Sequence, residues 1–192
     1  LICASNVICH VPDLNNLIEA VNLLLSSDGT FIFEEPYLGS MFEKVSYDQI
    51  YDEHIFMFSA SSVSKIFKRF DFKLIDAIHQ DTHGGSMRYI IKRNRHEINQ
   101  TLKKIIDFED KEKINSPESC LNFKKNCEIS KEKISNKIKS FKNEGKSICG
   151  YAATSKSTTV LNYCNIGNEH IDYICDTTKE KIGKFSPGMH IP

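Results

Sequence analysis

The absences narrow the field first. The 25 basic and 25 acidic side chains cancel, so no global field draws the chain to nucleic acid or to an anionic membrane. No apolar run approaches the roughly 18 residues needed to cross a bilayer, and the segment that starts at Leu1 is not a signal peptide. The seven cysteines, Cys3, Cys9, Cys120, Cys127, Cys149, Cys164 and Cys175, are odd in number and include no CxxC pair. That pattern argues against a disulfide scaffold or a thiolate zinc site and for the reduced thiols of a cytoplasmic protein. No methionine opens the chain and no recognisable element closes it after Gly188, so both ends read as cuts in a longer protein.

What is present has the balance of a globular protein, with 40% hydrophobic and 26% charged residues. Residues 1 to 11 read as a buried strand. Pro12-Asp13-Leu14 then opens a helix with Leu14, Leu17, Ile18, Val21, Leu24 and Leu25 at helical spacing. Thr30 to Glu34 is a second buried strand, and strand, helix, strand is the unit of a parallel sheet. Ligands sit at the carboxyl ends of such strands, which puts His10 and the segment Glu34-Glu35-Pro36-Tyr37 on one rim. A helix from Ser59 or Ser61 to about Phe70 follows. Strands at Phe72 to Ile78 and Met87 to Lys92 are joined by a turn holding Gly84-Gly85, with an antiparallel strand expected at the sheet edge. Residues 95–145 turn rich in Lys, Glu, Asn and Ser at helical spacing and read as a connector. From residue 146 a second α/β unit begins, with strands at Ser147 to Ala152 and Ile171 to Cys175.

The densest polar segment is Tyr47-Asp48-Gln49-Ile50-Tyr51-Asp52-Glu53-His54, which reads as a reaction-site loop that cannot be core. A carboxylate beside an imidazole favours the protonated ring, so Glu53 and His54 form a candidate acid/base pair. Thr82-His83-Gly84-Gly85-Ser86-Met87-Arg88 offers backbone amides, a hydroxyl and a guanidinium suited to sugar hydroxyls or phosphate, through His83, Ser86 and Arg88. His79 and His83 stand four apart, but the turn between them argues against a helical metal pair. Gly150-Tyr151-Ala152-Ala153-Thr154-Ser155-Lys156-Ser157 nearly matches a phosphate-binding loop, and Thr154 and Lys156 are its candidate diphosphate contacts.

Together, Asn6 to Val11, Tyr47 to Ser59, His83 to Tyr89, Gly150 to Cys164 and Lys184 to Pro192 resemble, in order, the sugar C-methyltransferases that act on nucleotide-linked keto-deoxysugars. The resemblance implies the carboxyl-terminal part of a Rossmann-like class I methyltransferase domain at 1–94, a helical connector at 95–145, and the start of a sugar-nucleotide-binding α/β domain at 146–192. It further implies a zinc-binding module and a glycine-rich cofactor loop upstream of Leu1, with no metal ligands in this chain. The cofactor is S-adenosylmethionine, placed around Ala4, Ser5 and Asn6, and the partner is a nucleotide-sugar substrate. By the same resemblance His54 is the base that forms an enolate, Glu53 and Tyr51 are its loop partners, and His10 positions the sugar or the developing oxyanion. Relatives commonly carry a second glycine where this chain has Ala152. Two other readings stay open: a phosphate-loop nucleotide-binding module, and a sugar-nucleotide-binding protein whose polar loop is inert.

Overall fold

The computed structural model describes residues 1–192, which divide into two compact units. The first comprises Leu1–Ser46 and Asp52–Asn122, and the second Tyr47–Tyr51 and Phe123–Pro192.

In the first unit β1 (Ile2–Ser5) runs parallel to β2 (Phe31–Pro36), and α1 (Leu14–Leu24) is the crossover that a parallel pair requires. Asp13 starts α1 by accepting the Asn16 amide at 3.0 Å, and the helix buries Ile18 and Val21. β1 is shorter than the sequence suggests. Asn6 adopts a left-handed backbone (φ 53°), and Ile8–His10 then wind into a 3-10 turn instead of extending the strand. Asn tolerates that conformation better than most residues.

The sheet order is β1-β2-β4-β3, where β3 spans Phe72–Gln80 and β4 spans Ser86–Arg93. The hairpin forms as its pattern predicts, but the antiparallel strand is not the edge. β4 lies between β2 and β3, because Met87, Tyr89 and Ile91 alternate on one face and are buried to 2%, 0% and 0% exposure. β3, whose His79 end is more open, takes the border. The turn needs its second glycine for space as well as for φ. A Cβ on Gly85 (φ +127°) would lie 2.4 Å from the Ser40 Cβ.

Two helices pack beside this sheet in ways that the sequence did not announce. α2 (Leu38–Lys44) begins directly after β2 and is tied down by the Leu38 amide donating to the Phe58 carbonyl at 2.9 Å. α4 (Gln100–Lys111), the first part of the stretch expected as a connector, places Leu102 in the core of this unit. Its Glu109, 1% exposed, accepts the first amides of α3 (Ala60–Lys68) from Ala60 at 2.7 Å and Ser61 at 2.8 Å, together with the Tyr37 hydroxyl at 3.1 Å. A carboxylate there satisfies orphan helix donors and complements the helix dipole. α3 is also closed by a capping box between Ser59 and Ser62.

The second unit holds most of α5 (Pro117–Asn143), whose opening proline suits a first helical position. It also holds a parallel pair, β5 (Cys149–Tyr151) with β6 (Tyr173–Cys175), crossed over by α6 (Ser155–Cys164). The expectation that the whole polar run stays out of a core is corrected here. Tyr47 is 7% and Gln49 3% exposed. The Tyr47 ring packs 5.0 Å from that of Tyr163, its hydroxyl lies 3.4 Å from the Cys164 thiol, and burial pushes its phenol up to about 12. The polar composition misleads because the phenol is mostly apolar surface with one satisfiable tip.

Candidate active site

β1 ends at Ser5, and the turn Ile8–His10 that follows is pinned from beneath by the neighbouring strand. In β2 the residues Phe31, Phe33 and Glu35 share the inward face, and Glu35 is wholly buried. Its Oε1 accepts the amides of Val7 at 2.9 Å and Ile8 at 2.6 Å, the entry to the turn. Burial first, then a hydrogen bond to Glu35, pushes the Cys9 thiol well above its ordinary range, so this thiol is neutral.

The turn in turn holds the loop 52–58. The Cys9 carbonyl accepts from the amides of Ile55 at 2.9 Å and Phe56 at 3.3 Å. His10 Nδ1 meets the Glu53 carbonyl oxygen at 2.8 Å, and since a carbonyl only accepts, Nδ1 carries the proton. In the neutral ring the lone pair is therefore on Nε2. The His10 and His54 rings lie edge to face with centroids 5.0 Å apart. Both are half-buried, which keeps them reachable while removing part of their solvent.

Of the sequence candidates, His10, Glu53 and His54 come together in this one place. Glu53 participates through its backbone carbonyl, and its side chain is exposed. Tyr51 is half-buried and groups with the second unit. Ala4, Ser5 and Asn6 stand at the carboxyl end of β1, with Ser5 and Asn6 exposed. His83 (φ 52°) is exposed on the hairpin turn, 3.5 Å from the Asn6 amide nitrogen. Arg88 is held by Glu34, with its Nη2 2.8 Å and its Nε 3.0 Å from one carboxylate oxygen. Ser86 is wholly buried and donates to the Thr82 carbonyl at 3.2 Å, so its hydroxyl shapes the turn that carries His83.

In the second unit Thr154 caps α6 in a reciprocal pair with Ser157, and Lys156 is half-buried on the first turn. A cavity of about 780 Å³ opens there, lined by Thr154, Ser155, Ser157, Asp176 and Lys181 among others. The Asp176 carboxylate is held well below its usual range by Thr178 and the Ala153 amide, and Lys181 Nζ stands 3.6 Å away. Ala152 takes a left-handed backbone with φ 71°.

Sequence reasoning gave no role to Cys9 or Glu109, and it set Glu35 on the open rim beside His10, whereas Glu35 is wholly buried. For Glu35 a signal was present, since it falls in phase with Phe31 and Phe33 on a strand of period two.

Comparison with known proteins agrees along the length of the chain. Residues 1–77 match the family described as a methyltransferase domain, and residues 81–192, more than half of the chain, match the C-methyltransferase C-terminal domain. The C-methyltransferase NovU of Streptomyces niveus is 28% identical over 194 residues. That alignment takes in 100% of this chain and 46% of the relative, so the chain spans about half the length of the curated protein it matches. On these matches the chain belongs to the C-methyltransferase family.

Proposed function

We propose that the protein containing this chain transfers a methyl group from S-adenosylmethionine to the carbon beside the keto group of a nucleotide-diphosphate deoxysugar, through an enolate formed by His54. The observation that carries the reading is the His10–His54 pair, 5.0 Å apart at the carboxyl end of a strand in a C-methyltransferase chain. Carbon methylation next to a ketone needs removal of a proton. An imidazole beside a second, oriented imidazole suits that task and the oxygen charge that results.

His54 takes the α-proton on a ring nitrogen. His10, its Nδ1–H held by the Glu53 carbonyl, turns Nε2 toward the ligand, where it accepts a sugar hydroxyl when neutral or donates to the enolate oxygen when protonated. Tyr51 is the further loop partner in this reading. S-adenosylmethionine supplies the electrophilic methyl group when bound. The residues that would hold it are Ala4, Ser5 and Asn6, whose exposed hydroxyl and amide at the end of β1 fit a polar cofactor. His83 and Arg88 would take sugar or phosphate oxygens. In the second unit Thr154 and Lys156 would take the diphosphate; the cavity at the head of α6, which Thr154 lines and Lys156 does not, supports the part of Thr154.

The test is His54→Ala in the active enzyme. It should still bind S-adenosylmethionine and the keto sugar, yet lose about 10²–10⁴-fold in methyl transfer. It should also lose exchange of the substrate's α-proton with deuterated solvent, if the parent shows that exchange. Transfer at near the parental rate would exclude His54 as the base.

A further inference from the structure

Cys9 is buried against both histidines of the site and has no part in the proposed chemistry. One ligand atom from each of Cys9, His10 and His54 falls within 4.8 Å of the others. One sulfur and two imidazole nitrogens is a borderline-soft set, preferred by zinc and its heavier relative cadmium over magnesium or calcium. Tetrahedral bonds of about 2.3 Å to sulfur and about 2.1 Å to nitrogen bring ligand atoms to roughly 3.5 Å from one another. The trio therefore needs to close by about 1 Å, a movement open to half-buried rings.

The surroundings are those that a bound metal uses. His10 already donates Nδ1–H to a backbone carbonyl, which fixes the ring and directs Nε2 as the coordinating atom. The fourth position falls to water.

We propose that Cys9, His10 and His54 form a site for a thiophilic divalent cation, zinc or cadmium, and that its occupation switches methyl transfer off. The binding step is balanced: the cation joins the Cys9 sulfur, and the thiol proton leaves to solvent. Transfer stops because the metal bond uses the His54 lone pair that would take the α-proton. That second half rests on the role proposed for His54; the metal site itself does not.

The experiment adds zinc or cadmium to the enzyme that contains this chain and compares the parent with Cys9→Ala. Whatever other metal the enzyme holds cancels in the difference. In the parent, cadmium should give an ultraviolet thiolate-to-metal band, and zinc should abolish methyl transfer until a chelator restores it. Cys9→Ala, its folding checked by S-adenosylmethionine binding, should lack that band and keep methyl transfer in the presence of zinc. Should alanine misfold, Cys9→Ser keeps a hydrogen-bonding group facing Glu35 and carries the same expectations. An equal band in parent and variant, or equal inhibition of both, overturns the site. A band that depends on Cys9 without inhibition keeps the site and overturns the switch, together with the base role of His54.

Discussion

Removing the Glu35 carboxylate should damage the site from below. In Glu35→Ala the amides of Val7 and Ile8 lose their shared acceptor, the latter bond being buried and 2.6 Å long, and the Cys9 thiol loses its partner. A hydrogen bond to a charged group contributes about 1.5–3 kcal/mol, and a buried donor left unpaired costs about 1–3 kcal/mol. Val7 is 47% exposed, so water can reach its amide, and most of the loss falls on Ile8 and Cys9. The sum is about 3–5 kcal/mol of stability. Glu35→Gln keeps one oxygen for both amides and should lose only about 1–2 kcal/mol. Activity follows from the chain of contacts above. The Cys9 carbonyl holds Ile55 and Phe56, and His10 holds the Glu53 carbonyl, so a relaxed turn moves both imidazoles. A displacement of about 1 Å at such a site costs roughly 10²-fold in rate. Urea unfolding measures the first effect, and kcat with KM at a temperature where both variants are folded measures the second. An alanine variant within about 0.5 kcal/mol of the parent would refute the anchoring. One that is destabilised but keeps its kcat would show that the anchor does not reach the histidines.

Two further outcomes belong to the second unit. Ala152→Gly should raise the melting temperature: the left-handed backbone at φ 71° costs alanine about 1–2 kcal/mol, against about 0.4–1 kcal/mol for glycine's freer unfolded chain. The net gain is about 0.5–1 kcal/mol, and a lower melting temperature would contradict the strain. The Asp172 carboxyl is lowered to about 2 by the Ser147 hydroxyl, Lys142 and the Ile148 amide. A folded value below the unfolded one stabilises fully above the ordinary carboxyl range and is lost as pH falls toward about 2. Melting curves taken from about pH 5 to about 2 should therefore fall more steeply for the parent than for Asp172→Asn, and equal slopes would count against the assignment.

How much of this was legible depends on how far each feature reaches along the chain. α1, β2 and the β3–β4 hairpin follow from local periodicity and turn residues, and they appear where the pattern puts them. The resemblance joins His10 with Tyr51, Glu53 and His54 at one substrate, and of these His10 meets His54 and the Glu53 carbonyl while Tyr51 groups with the second unit; the part of that carbonyl was not legible, because sequence displays side chains and hides backbone acceptors. β1 stops early through the backbone of one residue, Asn6, which no hydrophobic pattern encodes. Tyr47 is buried against Tyr163 and Cys164, more than a hundred residues later, beyond any window of pattern reading. α2 depends likewise on bonds to later segments, from the Leu38 amide to the Phe58 carbonyl, between the Ser40 hydroxyl and His79 Nε2, and from Lys44 Nζ to the Gly84 carbonyl.

The position of β4 carries a consequence for how such proteins can be recombined. One family match ends at residue 77 and the next begins at 81, so their border falls within the hairpin, before a strand that lies between β2 and β3. Glu109, from the later segment, caps a helix of the earlier one. A chimera joined at that border would inherit a sheet whose interior strand, and a helix whose cap, come from a different parent. Shuffling within this family should leave the hairpin whole: a cut after α4 keeps the sheet and the cap of α3 from one parent, and the contacts it still divides are those of Tyr47 with Tyr163 and Cys164.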